Sequence, residues 1–342
     1  MIASTAIDIW EAKRVRPIIR YEDDLAPFRF PSSSQIDAAS GIVSYSYPYD
    51  CDCALKLINP MKTPWHPTKG QDFGPTFTYI GFFWDIAGCH MSLPEMKHLK
   101  FLRRIWAFVK DFSRNSCKAI SPMKLHGSLC HITFIHPLGH SYPPALSTFV
   151  ASFDSNDHAG CHPPPSVFTV LKWWELTLSI LNTHCDIIAH GPLLDCLLFV
   201  DASTEWGIGI LLEACWDAWR GKGDWKSPTR HIGWLECVAL ELLIYTIEEW
   251  GWHNCNLLVH SDNQGIIGAF DKGRSCNHEI NLSIRRSHLI LVVRNITLKL
   301  LNVPSAQNPA EPISRGTLGP TVSRLPSNNY FPKALLAFFA HA

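Results

Sequence analysis

The stretch Leu197–Gly209, with the sequence LLFVDASTEWGIG, decides the fold of the more informative half of the chain. Four apolar residues lead directly into Asp201, and a second apolar run, Ile208–Leu212, follows a short polar break. This pattern predicts a buried strand that ends in a carboxylate and then turns into a second strand. An isolated aspartate at a strand end most often forms an Asx turn, but a strand end is also a rigid mount for a metal ligand. The other acidic residues of this half decide between the two interpretations.

Two further acids occur in comparable settings. The segment His231–Glu249 has the apolar spacing of an amphipathic helix, and Glu236 lies in its predicted first turn beside the apolar side. Glu241 is the fallback candidate on this helix, although it faces elsewhere. Another apolar strand ends at Asp262 and leads directly into a helix. Because ligands bind at the carboxyl ends of neighbouring strands, we expect Asp201 and Asp262 to lie side by side.

A fourth acid follows the last predicted strand, Ile296–Val303. The segment Val303–Gly316, with the sequence VPSAQNPAEPISRG, contains Glu311. Four carboxylates gathered at one sheet edge could not all ionise in a low-dielectric site without positive counter-charge. A pair of divalent cations would supply that charge.

These segments resemble the ribonuclease H domains of retroelement reverse transcriptases, especially those of tyrosine-recombinase-type elements. The shared motifs are Asp-Ala-Ser after a strand, Leu-Glu on a helix, Ser-Asp-Asn after a strand, and Asn-Pro-Ala-acid followed by Ser-Arg-Gly. The resemblance covers residues 196–320 well and residues 20–190 more loosely. It implies an α/β fold with a ribonuclease H-like mixed five-stranded sheet, in the strand order 3-2-1-4-5, flanked by helices.

The resemblance also implies the chemistry. Asp201, Glu236, Asp262 and Glu311 would bind two Mg²⁺ ions, or Mn²⁺ in their place, and catalyse hydrolysis of RNA in an RNA–DNA hybrid. The family usually has aspartate at the last of these positions. The extra methylene of Glu311 moves its carboxylate by more than about 1 Å, and two-metal catalysis is sensitive to such shifts.

Contacts to the nucleic acid are expected from basic loops and small polar side chains that reach phosphates and 2′-hydroxyls. The formal net charge of the chain is +0, so local patches would have to hold a nucleic-acid partner. Taken singly, each candidate residue is more often a solvated surface group. The candidates are Ser203, Asn263, Gln264, Lys272, Arg274 and Arg315.

The N-terminal part contains the sequence Tyr21-Glu22-Asp23-Asp24. Two adjacent carboxylates suit the metal-binding tip of a hairpin, although such a match taken alone is more often an acidic surface turn. Tyr-x-Asp-Asp resembles the palm motif of reverse transcriptases, so we interpret Tyr21, Asp23 and Asp24 as a remnant of a polymerase motif.

The following segments resemble the passage from palm to thumb in the same enzymes. Phe77–Asp85 and Met91–Lys97 correspond to the end of the palm, and Glu95–Phe112 has the apolar spacing of a thumb helix. A polymerase palm needs a further upstream aspartate and a fingers region, and the 20 residues before Tyr21 are too few for either. We therefore expect a truncated palm and thumb in which polymerase activity has been lost.

A length of 342 residues predicts about two domains, and a composition of 46% hydrophobic and 18% charged residues favours a folded chain over a disordered one. We predict a partial reverse-transcriptase palm and thumb over 1–115, a connector over 116–195, a ribonuclease H-like domain over 196–320, and a C-terminal extension over 321–342. The extension ends in an apolar, helix-like run.

The 12 cysteines include no C-x-x-C pair, which argues against a zinc ribbon. The sequence contains no secretory signal and no apolar run near the roughly 20 residues that span a bilayer. We expect a soluble intracellular protein, cytoplasmic or nuclear, with reduced thiols.

The sequence therefore favours a Mg²⁺-dependent ribonuclease H-type activity. A catalytically inactive nucleic-acid-binding remnant of a retrotransposon is the alternative, favoured by the missing upstream palm and by Glu311. A related nuclease that cuts DNA would use the same site.

Overall fold

The structure, a computed structural model, describes residues 2–62, 69–153, 160–180, 184–188, 191–326 and 331–342. The predicted linker over 154–165 therefore lies partly outside the described residues. The fold is mixed α/β, and the chain divides into two compact units. One consists of Met1–His98 with Asn182–Ile187, and the other of Leu99–Leu181 with Ile188–Ala342. The predicted segment boundaries after residues 115, 195 and 320 stay predictions.

The first unit is built from short elements. Its small core is formed where Trp10 and Ile58 pack with three smaller apolar residues, and the Trp10 indole donates a 2.8 Å hydrogen bond to the Ala54 carbonyl. Strands β1 and β2 form one antiparallel hairpin, β3 and β4 form another, and β5 to β8 form a four-stranded antiparallel sheet. The elements are α1 (Ile2–Ala12), β1 (Ile18–Tyr21), β2 (Asp24–Pro27), β3 (Ser33–Ile36), β4 (Val43–Ser46), α2 (Cys51–Ile58), β5 (Thr76–Tyr79), β6 (Phe82–Asp85), β7 (His90–Ser92) and β8 (His184–Asp186).

Among the described residues, four α-helices lie between β7 and β8 along the chain. The predicted helix over Glu95–Phe112 is confirmed with those bounds, and its apolar stripe buries Ile105 completely. The region predicted as a connector forms helices, and two of their residues, Leu129 and Trp174, are fully buried. The helices are α3 (Glu95–Phe112), α4 (Ile120–Ile132), α5 (Pro144–Ala151) and α6 (Pro165–Leu178).

Within the described part of the chain, the main sheet has six strands, in the spatial order β13-β12-β9-β10-β11-β14. β12 is parallel to both β9 and β13, and the other pairs are antiparallel. The five strands from β9 to β13 follow the order 3-2-1-4-5, but the sheet has six strands rather than the predicted five. The strands are β9 (Leu193–Ala202), β10 (Gly207–Leu212), β11 (Cys215–Gly221), β12 (Cys255–Ser261), β13 (Ile296–Asn302) and β14 (Phe339–His341).

The additional strand comes from the C-terminal extension, where the sequence predicted a helix-like run. β14 pairs with the outer edge of β11, and Phe339 is buried in the main core. Asp217 of β11 is 1% exposed and accepts hydrogen bonds from Arg324 Nε (3.2 Å) and His341 Nε2 (2.7 Å). Buried apolar and charged contacts together therefore anchor the extension, because a carboxylate is retained in a core only when it is paired.

The remaining helices pack around this sheet. They are α7 (Ile232–Glu249), α8 (Gln264–Asp271), α9 (His278–Arg294) and α10 (Glu311–Ser314). α7 is buried over most of its circumference, because it lies against the sheet on one side and against α9 on another. The fallback acid Glu241 is fully buried between these helices, where Arg286 Nη2 (2.8 Å) and Ser283 Oγ (2.6 Å) donate to its carboxylate. Glu241 is therefore part of an internal ion pair.

Candidate metal centre

Asp201 is placed by the end of the central strand. β9 and β12 run parallel, with His260 paired to Phe199. Asp201 and Asp262 each lie two residues beyond this pair, so they are side by side at the same edge of the sheet, as the sequence predicted. On its other side Asp201 pairs with Gly209 of β10. Asp201 is 5% exposed, so its carboxylate lies in an environment that disfavours negative charge.

Asp262 lies between a strand and a helix. It directly follows β12, and the next residue, Asn263, is the N-cap of α8, with Oδ1 accepting the Ile266 N–H at 3.1 Å. This cap fixes the direction in which the chain leaves the sheet. The Ser305 hydroxyl donates a hydrogen bond to Asp262 Oδ2. Asp262 is half-buried, so the solvent side of the site opens at this residue.

Glu236 approaches the two aspartates from the helix layer. α7 begins after His231, whose Nδ1 accepts the Gly233 N–H at 3.1 Å. Glu236 is thus the fifth residue of the helix and lies in the second turn, not in the first turn as predicted. Helix-end donors therefore contribute less to its environment than the sequence suggested. Only 5% of Glu236 is exposed.

The three acids form one cluster. Asp201, Glu236 and Asp262 each present a carboxylate oxygen, and these oxygens lie within 4.8 Å of one another. Among the described residues, this is the one such group of three or more histidine, cysteine, aspartate or glutamate side chains. The chain segments that supply it are separated by tens of residues, so the tertiary fold creates the cluster.

Burial and mutual repulsion change the acidity of the cluster. Burial raises the pKa of Glu236 to about 9, with Asp201 and Asp262 adding to the rise, while a hydrogen bond from the Ala202 N–H opposes it. Burial also raises the pKa of Asp201 to about 6, opposed by the Ser314 hydroxyl and reinforced by Asp262. In the absence of a cation, the protein therefore holds at least one carboxyl proton in this site at neutral pH.

The donor set fits a hard divalent cation. Glu236 Oε2 is buried, and within the described part of the chain it has no hydrogen-bond partner. Such an atom is costly unless something else compensates it. Mg²⁺ prefers carboxylate oxygens at about 2.1 Å, so neighbouring ligands of one ion lie about 3 to 4 Å apart. A separation within 4.8 Å permits Asp201, Glu236 and Asp262 to share one ion or a close pair.

The fourth predicted ligand, Glu311, is not brought into the cluster. It is the first residue of α10, and its Oε1 accepts a 2.9 Å hydrogen bond from Arg315 Nη2, one helical turn later. Glu311 still contributes to the electrostatic environment of Asp201. Its carboxylate is therefore near the site but paired with the arginine that directly follows α10.

The single turn of α10 lies directly over the strand pair that carries Asp201. A Cβ atom on Gly209 would lie 2.6 Å from the Ser314 nitrogen and 2.9 Å from the Ala310 carbonyl oxygen. Both are backbone atoms, which cannot rotate away. Glycine at this position therefore permits α10 to approach the sheet and brings Ser314 to Asp201.

Replacing Gly209 by alanine is expected to displace α10. We expect the free energy of unfolding to fall by about 1–3 kcal/mol, the usual cost of overpacking. Urea denaturation measures this change. Gly268→Ala in α8 is the matched control, because its Cβ would meet nothing within 4 Å, and there alanine should be neutral or stabilising by up to about 1 kcal/mol. Equal unfolding curves for the two variants would contradict the packing argument.

The predicted nucleic-acid contacts divide into two groups. Ser203, Asn263 and Gln264 lie within two residues of Asp201 or Asp262, at the edge where the acids meet. Ser203 is largely buried and its Oγ accepts the Glu205 N–H (3.3 Å). The basic candidates are further away or already paired: Lys272 and Arg274 are exposed beyond the far end of α8, about 12 Å of helix from Asp262, and Arg315 binds Glu311.

The polymerase-motif candidates lie in the first unit. Tyr21 ends β1 and Asp24 begins β2, so the predicted strand–turn–strand arrangement is present, with Glu22 and Asp23 in the turn. Tyr21, Asp23 and Asp24 are exposed. They do not form a metal-binding group with other acids among the described residues.

Two serines of the site were missed as functional residues by the sequence analysis. Ser305 contacts Asp262 and Ser314 contacts Asp201, across 43 and 113 positions of sequence. Both lie in the segment Val303–Gly316, quoted above for its motif. That motif was the available signal, but the sequence does not show which carboxylate each hydroxyl would reach.

No protein-family model matches the chain, and no curated protein matches it. One similar solved structure is that of a foamy viral protease-reverse transcriptase in complex with double-stranded DNA. The TM-score is 0.35 and the identity 14%, over 88% of this chain and 48% of that one. The chain thus spans about half of that protein's length. Among the described residues, no helix is long and apolar enough to cross a membrane.

Proposed function

We propose that the second unit is a divalent-cation-dependent nuclease of the ribonuclease H type. The observation that supports it best is the cluster of Asp201, Glu236 and Asp262, whose oxygens meet at the carboxyl ends of two parallel strands. Ligand sites in open α/β sheets occur at this edge. Buried carboxylates with raised pKa values are more frequent at functional sites than elsewhere. The strand order 3-2-1-4-5 within the sheet is in keeping with a ribonuclease H-like fold.

In this proposal Asp201, Glu236 and Asp262 would hold one or two Mg²⁺ ions, or Mn²⁺. Bound cations of this kind supply an activated water and stabilise the charge that develops on the leaving oxygen. The protein's own contribution is to bring the carboxylates together and to exclude bulk solvent from Asp201 and Glu236, each 5% exposed. Asp262, which is half-buried, then lies on the side from which a substrate strand can enter.

We propose the RNA strand of an RNA–DNA hybrid as the substrate. Recognition of such a duplex depends on groove shape, phosphates and 2′-hydroxyls, which small polar groups can contact. Ser203, Asn263 and Gln264 supply those groups beside the acids, whereas Arg315 is paired with Glu311. The neutral formal charge of the chain agrees with local rather than global electrostatic attraction.

The test is a cleavage assay with a panel of end-labelled duplexes of one sequence. Wild-type protein should cut the RNA strand of the hybrid in Mg²⁺, leave the all-DNA duplex intact, and be inactive in EDTA. Preferential cutting of the DNA duplex would identify the related DNA nuclease instead. A lack of cleavage in every duplex with either Mg²⁺ or Mn²⁺ would overturn the proposal.

One observation favours the inactive nucleic-acid-binding remnant as a second candidate. Glu311 pairs with Arg315 instead of joining the other acids, so the site has three gathered carboxylates where the resembled family uses four. In that case the protein would bind the hybrid with a salt-dependent affinity but would not cut it.

Substitution of Glu311 by glutamine distinguishes a three-acid from a four-acid site. If the three gathered carboxylates suffice, Glu311→Gln should leave the cleavage rate within about threefold of wild type, since Glu311 forms only a partly exposed ion pair of low energy. Initial rates at saturating Mg²⁺ measure this. A loss as large as that expected for a metal ligand would place Glu311 in the metal site of the substrate complex.

For the first unit, we propose a remnant of a reverse-transcriptase palm. Tyr21 and Asp24 pair at the end of the hairpin of β1 and β2, and Asp23 lies in its turn, which supports this proposal. Among the described residues, these exposed acids belong to no group of three or more possible metal ligands.

A further inference from the structure

The segment after β13 reaches both aspartates of the proposed metal site. Val303 extends the sheet through a 3.1 Å hydrogen bond from its N–H to the Ser261 carbonyl. Asn308 is 3% exposed and crosses to the central strand, where its Nδ2 donates to the Val200 carbonyl at 2.9 Å and its Oδ1 accepts the Ala310 N–H at 3.1 Å. The segment is thereby fixed against β12 at one end and β9 at the other.

Each end of this segment places a hydroxyl against one aspartate. Ser305 Oγ donates to Asp262 Oδ2, and Ser314 Oγ donates to Asp201 Oδ2. Ser314 is fully buried, and its hydroxyl also lies 2.9 Å from the Glu311 carbonyl oxygen. Each hydrogen bond engages one carboxylate oxygen, Oδ2, and so restricts the rotation of that aspartate's side chain.

We propose that Ser305 and Ser314 are positioning residues that preorganise Asp262 and Asp201 for a divalent cation. This inference rests on the proposed function and assigns the contribution of the segment to its two hydroxyls rather than to the acid Glu311. Hydrogen bonds to ligating carboxylates restrict their orientation, and loss of such bonds typically weakens metal affinity or activity about 10- to 100-fold.

The two serines differ in solvent exposure, so different substitutions suit them. Ser305 is exposed, so threonine can replace it and keep the hydroxyl. Ser314 is the last residue of α10 and is fully buried, so its alanine variant also reports on packing. Ser323 is a matched control, because it belongs to the same unit and lies outside the metal site.

The experiment is a Mn²⁺ titration by calorimetry of full-length wild type, Ser305→Ala, Ser305→Thr, Ser314→Ala and Ser323→Ala, paired with cleavage rates over a range of Mg²⁺ concentrations. We expect both site alanine variants to raise the Mn²⁺ dissociation constant and the half-saturating Mg²⁺ concentration at least tenfold. The maximal rate at saturating Mg²⁺ should fall much less, because added metal compensates for lost orientation. Ser305→Thr and Ser323→Ala should titrate like wild type.

The possible outcomes distinguish the positioning role of the serines from the proposed metal-dependent function. If wild type binds Mn²⁺ and both site alanine variants bind it equally well, the positioning role is wrong and the metal site stands. If wild type binds no Mn²⁺ and cuts no duplex, the proposed function fails and the positioning role with it. If Ser305→Thr loses as much affinity as Ser305→Ala, the hydroxyl is not the group responsible, and the positioning role of Ser305 is wrong.

Discussion

Asp262→Asn is expected to lower the rate of hybrid cleavage by about 1,000-fold at saturating Mg²⁺, similar to the loss of one essential electrostatic group elsewhere. Asparagine keeps the size of the side chain and can still accept the hydrogen bond from Ser305. It removes the negative charge from the most accessible of the three clustered acids. A loss of this size would therefore report on metal binding rather than on packing, and single-turnover rates on the labelled hybrid measure it.

Asp271→Asn provides the matched control for this substitution. Asp271 is the last residue of α8 and is exposed, whereas Asp262 lies just before the start of the same helix. The control should cut the hybrid like wild type. Equal residual cutting by wild type and Asp262→Asn would contradict the nuclease assignment, and it would favour the inactive remnant if both proteins still bound the hybrid.

The elements that carry the acids could be predicted because each has a strong local signal. An apolar run that stops at Asp201 or Asp262 indicates a buried strand and its end, and parallel neighbours bring such ends together. The apolar spacing of α7 placed Glu236 beside the sheet, although the helix begins at Ile232 and moves this acid into the second turn. In each case periodicity over many residues determines which side is buried.

The features that were not predicted depend on side-chain direction or on very short elements. Glu311 begins a helix of one turn, and the position of Arg315 four residues later draws its carboxylate away from the cluster. β14 has three residues, too few for an alternating pattern, and it forms because Phe339 is buried and His341 reaches Asp217. Contacts between residues that are distant in sequence decide these details, and a local pattern cannot encode them.

Glu236→Gln is expected to stabilise the metal-free protein at alkaline pH. The pKa of Glu236 is raised from its ordinary 4.5 to about 9. Between these two values, the folded protein keeps a proton that the unfolded chain releases, so stability falls as pH rises through this window. Asp201, raised from 3.8 to about 6, adds to the loss at the acidic end. Glutamine cannot ionise, so the substitution removes the larger of these two losses of stability, on the order of several kcal/mol at pH 8.

The measurement is the thermal unfolding midpoint between pH 5 and 9 in EDTA and in Mg²⁺. Without metal, the wild type should lose stability steadily toward pH 9, and Glu236→Gln should lose much less stability. The control Asp271→Asn should behave like the wild type. Mg²⁺ should raise the unfolding midpoint of the wild type most strongly at the alkaline end, because the cation compensates for the negative charges that burial disfavours. Two results would contradict this prediction: a wild-type midpoint that rises with pH in EDTA, or a Mg²⁺ effect that is equal in wild type and Glu236→Gln. Either would show that ionisation of these clustered carboxylates does not destabilise the folded protein.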